Sequence, residues 1–191
     1  MKPEFTVGRI AEAVRGTVTG ALEGWVSGVS TDSRTAEPGE LFVPLRGERF
    51  DGHRFIEMAV ARGVRVLLAE PTRCEPETLP PGTTCITVTD TLRALGDLAV
   101  FHRNRFAVPV VAVTGSNGKT TTKEMLAAIL RRTGDGLKTA GNLNNLIGLP
   151  QMVLQLNGGH RWAVLEMGMS EPGEIDRLAE DITQEELERS K

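Results

Sequence analysis

The chain contains few aromatic residues. Its 191 residues include six phenylalanines, two tryptophans and no tyrosine, while 40% are hydrophobic and 25% are charged. This composition is sufficient for packed cores, and it excludes a collagen-like or wholly disordered chain. Because compact domains centre on roughly 100–150 residues, the length allows either two small lobes or one lobe and part of another.

Cysteine and long apolar segments are also scarce. Only Cys74 and Cys85 occur, without histidines or further cysteines at metal-binding spacing, so neither a zinc site nor a disulfide framework is indicated and a reducing cytoplasm fits best. The N-terminus has no continuous apolar segment, and no run of eighteen apolar residues occurs. We therefore expect a protein that is neither exported nor membrane-spanning.

The chain has no excess of positive charge. Its 22 basic and 25 acidic residues give a formal net charge of -3. Without a basic field to attract polyanions, binding to nucleic acid or to an acidic membrane surface is not expected as a main function.

Helical and strand-like patterns alternate along the chain, which predicts an α/β fold. Residues 6–14 have helical spacing with Thr6 as N-cap, and residues 55–62 predict a helix before strands at 64–69 and 85–88. A stretch rich in Pro, Glu, Thr and Gly predicts a loop over 71–82. We place a domain boundary near residue 89, which gives an N-terminal domain over 1–88 and a second domain over 89–191.

The second domain begins with a helical pattern and a continuous apolar run at 109–113, typical of a strand buried on both faces. A second such strand is predicted at 162–166, and a third, less distinct one at 137–139. Open parallel sheets usually have about five or six strands. We therefore expect an incomplete domain.

A glycine-rich loop follows the strand at 109–113. Residues 114–122 read Thr-Gly-Ser-Asn-Gly-Lys-Thr-Thr-Thr and precede a helical pattern at 123–132. Such a loop lets backbone N–H groups face phosphate oxygens, while Lys119 can reach the β- and γ-phosphates and Thr120 can bind magnesium. The alternative is a tight turn without a ligand. The spacing is unusual, because Val113 occupies the position of the first glycine and Gly115 follows two residues later.

Polar residues beyond this loop extend the predicted nucleotide site. Glu166 ends a predicted buried strand, where a carboxylate can organise magnesium; alternatively it only caps the following turn. Three asparagines lie in the loop 139–150, and their amides suit a purine, a ribose or a phosphate oxygen. The alternative is a surface turn that caps a helix at 151–156.

Three segments together resemble the Mur ligases, namely residues 114–124, 142–150 and 166–169. The displaced Gly115 matches this family's own variant of the loop. The resemblance implies an ATP-dependent ligase that extends a cell-wall precursor, activating its terminal carboxylate as an acyl phosphate before an amine attacks.

Ser116, residues 122–124 and residues 142–145 are most similar to the members that add D-alanyl-D-alanine to UDP-MurNAc-tripeptide. One alternative is the ligase of the preceding step, which adds the third residue to UDP-MurNAc-dipeptide. Another is a non-catalytic module that binds a UDP-sugar or a nucleotide.

The resemblance also implies functional residues. Lys119 and Glu166 are the implied catalytic residues, and Thr120 and Glu166 the implied Mg2+ ligands. The implied ATP-binding residues are Gly115, Ser116, Asn117, Gly118, Lys119, Thr120, Thr121, Asn144 and Asn145.

Segments 29–34, 39–47 and 51–56 look like the family's uridine-diphosphate-binding domain. The implied substrate-binding residues are Ser30, Thr31, Asp32, Ser33, Arg34, Gly47, Asp51, Gly52 and His53. Without the resemblance, Thr31-Asp32-Ser33 reads as an Asx turn and Asp51-Gly52 as a turn into a helix. A lone histidine such as His53 is more often half-exposed and hydrated than a ligand.

Two departures from the family limit these expectations. Many relatives carry Asn-His shortly after the Glu-Met-Gly run, where this chain has Ser170-Glu171, so no histidine is assigned to metal. The resemblance fades beyond residue 180. We expect a truncated, cytoplasmic, monomeric ligase with weak or no activity, composed of an N-terminal UDP-substrate-binding α/β lobe and a partial P-loop ATPase domain with a parallel sheet.

Overall fold

A computed structural model describes residues 5–47 and 50–182 of the chain. It divides into two compact units, residues 1–98 and 99–191. The division falls within helix α3 (Thr91–Arg103), which was predicted to lie entirely in the second domain. The predicted boundary near residue 89 stays a prediction.

The first unit is organised around a five-stranded sheet. Four strands are parallel, namely β4 (Gly28–Ser30), β5 (Glu40–Phe42), β6 (Val66–Ala69) and β7 (Thr84–Thr87), and β2 (Thr17–Thr19) pairs antiparallel with β7. The strand order is β2-β7-β6-β5-β4. A separate antiparallel pair joins β1 (Phe5–Thr6) and β3 (Trp25–Val26).

The helices of the first unit begin close to their predicted positions. Helix α1 (Val7–Ala13) is capped by Thr6, whose side chain accepts a hydrogen bond from the backbone N–H of Arg9 at 3.3 Å, which confirms the predicted N-cap. The predicted helix at 55–62 is a 3-10 turn (Gly52–Phe55) followed by α2 (Ile56–Ala61). A shorter 3-10 turn (Pro76–Thr78) lies in the predicted loop.

The core of the first unit lies between α2 and the parallel strands. Phe42, Leu67 and Cys85 are at most 1% exposed and belong to one apolar cluster. Cys74 is partly buried and packs against this cluster. Burial raises the pKa of the Cys85 thiol to about 12, so both sulfurs behave mainly as apolar groups.

The second unit contains a three-stranded parallel sheet. Its strands are β8 (Val110–Val113), β9 (Gly136–Lys138) and β10 (Trp162–Glu166), in the order β8-β10-β9. Strand β9 confirms the third predicted strand. Every residue of the central strand β10 is buried, and strands pair with it on both sides.

Three helices accompany this sheet, namely α4 (Lys119–Leu130), α5 (Gly148–Val153) and α6 (Glu174–Ile182), and a 3-10 turn (Arg131–Thr133) follows α4. Ala127 of α4 packs with Val113, Trp162 and Val164 of the sheet in one cluster. Within the ranges 5–47 and 50–182, no helix has the length and apolar character needed to cross a membrane.

Two sequence-based expectations for this unit were wrong in detail. Strand β8 is not buried on both faces, since Val111 is 39% exposed. In the described part of the chain β8 pairs with β10 alone, and a continuous apolar run does not distinguish an edge strand from a central one. Helix α5 also begins three residues before the predicted start at 151, because Asn145 supports its first turn.

Candidate functional site

The parallel sheet of the second unit brings three loops to one edge. Strands β8 and β10 run in the same direction with Val113 opposite Glu166, and β9 pairs with β10 in the same sense. The phosphate loop after β8, the asparagine loop after β9 and Glu166 at the end of β10 therefore meet at the carboxyl ends of the strands. In open α/β sheets, ligands bind at this edge.

The phosphate loop has the backbone conformation that its glycines permit. Gly115 and Gly118 have φ values of 139° and 76°, a region that side chains other than glycine rarely adopt. Gly118 directly precedes α4, whose first N–H groups and positive dipole end favour an anion. The Lys119 ammonium donates to the Gly115 carbonyl at 2.7 Å, so it lies over the loop.

Glu166 is the centre of a hydrogen-bonded network. Its side chain accepts from the Thr120 hydroxyl at Oε2 (3.1 Å) and from the Asn144 amide at Oε1 (2.9 Å). Its backbone N–H donates to the Thr139 hydroxyl at 2.8 Å. The Lys123 ammonium lies 3.4 Å from Oε2. Both carboxylate oxygens therefore have partners although Glu166 is only 4% exposed.

These partners determine the charge state of Glu166. Burial alone would raise its pKa, but the hydrogen bonds from Asn144 and Thr120 and the charge of Lys123 outweigh burial and hold the pKa below its usual value. Glu166 is therefore ionised at neutral pH, as a metal-organising carboxylate must be.

The donor atoms at this site suit magnesium together with a phosphate. A hydroxyl oxygen and a carboxylate oxygen, from Thr120 and Glu166, lie 3.1 Å apart, and Mg2+ prefers such hard oxygen ligands. No group of three or more His, Cys, Asp or Glu residues that could hold a metal occurs among residues 5–47 and 50–182. Mg2+ is usually held by one or two carboxylates plus substrate phosphates, and this arrangement fits that mode.

The other predicted nucleotide-binding residues are placed as follows. Ser116 and Asn117 are exposed in the loop, and Thr121 is exposed in the first turn of α4. The Asn145 side-chain oxygen accepts from the N–H groups of Ile147 and Gly148 at 3.1 and 2.8 Å. Asn145 thus supports the start of α5, whereas Asn144 alone of this pair contacts Glu166. Their roles in binding ATP stay predictions.

The first unit contains a cavity of about 550 Å3. Five of the predicted substrate-binding residues line it, namely Thr31, Asp32, Ser33, Arg34 and Gly52, together with Phe42, Phe50, Phe55 and Met58. The latter four were not predicted from the sequence, because an aromatic or methionine residue is more often part of a core than of a site.

One wall of this cavity is aromatic and another is charged. The Phe50 and Phe55 rings stack with centroids 5.5 Å apart and an interplanar angle of 14°, and Phe50 is 56% exposed. The Arg34 guanidinium lies 2.7 Å from Asp32 Oδ2. Hydrogen bonds from Arg34 lower the pKa of Asp32 to about 2, so both groups are charged. The cavity can accept a planar ring and a charged group.

Asp51 and His53 form a buried connection beside this cavity. Asp51 Oδ1 lies 2.8 Å from Nδ1 of His53, and Nε2 of that ring accepts from the Glu70 backbone N–H at 3.2 Å. Arg73 is 3.3 Å from Asp51 Oδ2. Because Nε2 accepts, Nδ1 carries the proton and donates to Asp51. Both ring nitrogens have hydrogen-bond partners, and His53 is 5% exposed. The His53 side chain therefore stabilises the turn over 52–55 from its buried side.

Besides Asp51 and His53, two further predicted substrate-binding residues do not line this cavity. The Ser30 hydroxyl donates to the Asp32 carbonyl and accepts from the Asp32 N–H at 3.2 and 3.3 Å, which shapes the turn. Gly47 lines a different cavity of about 380 Å3 with Arg46, Glu70, Asp90, Thr91 and Leu92. Substrate contact by Ser30, Gly47, Asp51 and His53 stays a prediction.

Comparison with known proteins identifies the family. The profile of the "Mur ligase middle domain" matches residues 113–184, and that of the "Mur ligase family, catalytic domain" matches residues 26–103. Over 176 residues the chain is 47% identical to the UDP-N-acetylmuramoyl-tripeptide--D-alanyl-D-alanine ligase of Bacillus subtilis (strain 168). The chain belongs to the Mur ligase family.

The match covers 91% of this Mur ligase chain and 38% of the Bacillus protein. The ligase of the same name from Escherichia coli (strain K12) is 44% identical over 170 residues, which are 89% of this chain and 36% of the relative. The chain thus spans less than two fifths of the length of these curated relatives.

Solved Mur ligase structures have the same fold. MurF from Acinetobacter baumannii matches with a TM-score of 0.87 and 38% identity over 96% of this chain and 40% of that chain. MurF ligase from Thermotoga maritima in complex with ADP matches with a TM-score of 0.72 and 36% identity, over 82% of this chain and 35% of that chain. The mixed α/β architecture with parallel sheets is therefore shared with solved members of the family.

Proposed function

We propose that this chain supplies the UDP-substrate lobe and part of the ATP site of a ligase that adds D-alanyl-D-alanine to UDP-MurNAc-tripeptide. The observation that carries the proposal is the contact between Thr120 and Glu166 at the end of a phosphate loop. The chain that contains it is 47% identical to a ligase of that name. Because two of its three expected substrates, ATP and the UDP-linked precursor, are nucleotides, the reaction is proposed to be cytoplasmic.

The second unit is proposed to hold ATP. The loop amides over 115–118 and the start of α4 face the expected position of the phosphates, and Lys119 neutralises the β- and γ-phosphates. A related structure carries ADP, which supports nucleotide binding by the proposed ligase. Thr120 and Glu166 would hold Mg2+, which shields phosphate charge during transfer when it is bound.

The first unit is proposed to hold the UDP end of the precursor. The stacked pair of Phe50 and Phe55 offers an apolar face for a base, and Arg34 offers a positive charge for a diphosphate oxygen. The Arg34 side chain, which is 80% exposed and lies 2.7 Å from Asp32 Oδ2, lines this cavity.

The proposed chemistry has two steps. A carboxylate oxygen of the tripeptide attacks the γ-phosphorus of ATP, and ADP leaves. The amine of D-alanyl-D-alanine then attacks the acyl phosphate carbon, phosphate leaves, the nitrogen releases one proton to solvent and an amide bond forms. The contribution of Lys119 and the loop amides is preorganised stabilisation of negative charge on the transferred phosphoryl group.

Two titrations of the chain test the proposal. UDP-MurNAc-tripeptide is titrated by calorimetry into the wild type, Arg34→Ala and Arg9→Ala. Arg9 is a matched control, because it is exposed and paired with Glu12 at 3.4 Å but does not line the cavity. We expect at least a tenfold loss of affinity for Arg34→Ala and less than a twofold change for Arg9→Ala.

A fluorescent ATP analogue is titrated into the wild type and Lys119→Ala in the presence of Mg2+. Lys119→Ala should lose at least tenfold in nucleotide affinity and keep its affinity for UDP-MurNAc-tripeptide. Failure of the wild-type chain to bind either ligand contradicts the proposed function. Binding of the UDP ligand alone favours a non-catalytic UDP-sugar-binding module.

A further inference from the structure

Lys123 is a buried lysine beside the candidate metal ligands. It lies one helical turn after Lys119 on α4, and its side chain is 3% exposed. Its ammonium is 3.4 Å from Glu166 Oε2 and 3.8 Å from Glu124 Oε1. Lysine is rarely buried unless it is paired, so the contact with Glu166 accounts for its position.

The second carboxylate contributes less to Lys123. Glu124 is half exposed and pairs with Lys138 through its other oxygen, and a hydrogen bond from Lys138 lowers the pKa of Glu124. Glu166, by contrast, is 4% exposed. Because charges interact more strongly when they are shielded from water, Lys123 and Glu166 form the dominant pair.

Lys119 and Lys123 have different environments although they share one helix face. Lys119 reaches the loop carbonyl of Gly115, on the side where a phosphate is expected. Lys123 is enclosed and contacts the same oxygen of Glu166 that accepts the Thr120 hydroxyl. Lys123 is therefore positioned to interact with Glu166, and its burial keeps it from binding a phosphate that enters from solvent.

We propose that Lys123 balances the charge of Glu166, so that Thr120 and Glu166 do not hold a divalent cation until nucleotide phosphates are present. Lys123 is then a positioning residue for the metal site. The proposal rests on the proposed nucleotide site. Without Lys123, one buried carboxylate and one hydroxyl face each other with no neutralising charge, and a cation becomes the best available partner.

The test uses Mn2+ alone as the probe, with free Mn2+ measured by electron paramagnetic resonance in the absence of nucleotide. The variants are Lys123→Met, which keeps length without charge, and Lys123→Gln, which keeps a donor for Glu166. Lys138→Met is the matched control, because Lys138 also pairs with a carboxylate but is 30% exposed. The double variant Lys123→Met with Glu166→Gln removes both members of the pair.

We expect the wild type to bind Mn2+ weakly, and both Lys123 variants to bind it at least tenfold more tightly. A tenfold change corresponds to about 1.4 kcal/mol. Lys138→Met should change the affinity less than twofold, and the double variant should return to the wild-type value. A residue with only a structural role would not gain metal affinity on replacement.

Either of two results overturns the proposal. In the first, the wild type already binds Mn2+ as tightly without nucleotide as the Lys123 variants do. In the second, the double variant keeps the gain. Binding of a fluorescent ADP analogue to the wild type is measured in parallel. Its absence contradicts the proposed function, whereas the Mn2+ affinities without nucleotide decide the role of Lys123 independently.

Discussion

The Thr120 hydroxyl donates a hydrogen bond to Oε2 of Glu166 at 3.1 Å, although 46 residues separate the two in the chain. The contact joins the first turn of α4 to the end of β10. A hydroxyl has one donor and two acceptor lone pairs, so Thr120 can remain bonded to Glu166 while its oxygen accepts a cation. The contact preorganises both oxygens before nucleotide arrives.

We predict that Thr120→Val lowers affinity for ADP only when Mg2+ is present. Valine keeps the shape of threonine but removes the metal-directed oxygen, whereas Thr120→Ser keeps it. A fluorescent ADP analogue is titrated into each variant with and without Mg2+, and the increase in affinity caused by Mg2+ is compared with that of the wild type. Thr120→Val should reduce this increase at least tenfold, and Thr120→Ser should reduce it less than threefold.

Thr122→Val is the control, because Thr122 is exposed at the start of the same helix and is not among the predicted nucleotide-binding residues. An equal loss of affinity in Thr120→Val with and without Mg2+ would contradict a role in metal binding. It would indicate that the variant disturbs the phosphate loop itself.

We predict that His53→Leu destabilises the first unit by about 1–3 kcal/mol, the usual cost of a buried donor left without a partner. The variant removes the acceptor of the Glu70 N–H and the donor to Asp51. Urea unfolding followed by circular dichroism measures the loss. Arg54→Ala, at an exposed neighbouring position, should change stability by less than about 0.5 kcal/mol. An equally small effect for His53→Leu would show that the connection is not needed for folding.

Local sequence patterns predicted the elements that depend on neighbouring residues. Thr6 was predicted as a cap because its hydroxyl reaches an N–H three residues away. The two apolar runs that became β8 and β10 were found because parallel strands are rich in aliphatic residues. The exposure of Val111 was not predictable, because the number of strands beside β8 depends on pairing between distant segments.

The candidate site was predicted only in part, because some of its contacts join segments that are distant in the sequence. Lys119, Thr120 and Glu166 follow recognisable patterns of loop, helix and strand end. The involvement of Lys123 depends on its distance to Glu166 across 43 residues of chain, although its position four residues after Lys119 placed both on one helix face. Phe50 and Phe55 became cavity residues only through the turn that lies between them.

We predict that His102 makes the second unit less stable as the pH falls from 6.5 to 4. The ring donates to the Leu156 carbonyl at 2.8 Å, and burial lowers the pKa of His102 from 6.5 to about 4. In this window the unfolded chain binds the proton more readily, so protonation favours unfolding. At pH 5 the titration of His102 lowers the free energy of unfolding by about 2 kcal/mol, because each pH unit within this window contributes roughly 1.4 kcal/mol.

His102→Gln provides the comparison for this prediction. A glutamine amide can donate to the same carbonyl but does not titrate. In a Trp25→Phe background, Trp162 fluorescence reports urea unfolding of the second unit at pH 7 and pH 5. The wild type should lose about 2 kcal/mol more than His102→Gln between the two pH values. Equal losses would mean that His102 is not kept neutral by burial.

We predict that Gly136→Ala destabilises the second unit by about 1–3 kcal/mol, because overpacking forces neighbouring groups to move. A methyl group at this position would lie 2.1 Å from the Trp162 ring, and that ring is held by a 2.9 Å hydrogen bond from its N–H to the Gly134 carbonyl. Gly158→Ala is the control, since a methyl group there meets nothing within 4 Å. Urea unfolding followed by Trp162 fluorescence in the Trp25→Phe background should separate the two variants. Equal stability would show that β9 shifts away from β10 at little cost, which would also displace the asparagine loop and weaken the contact of Asn144 with Glu166.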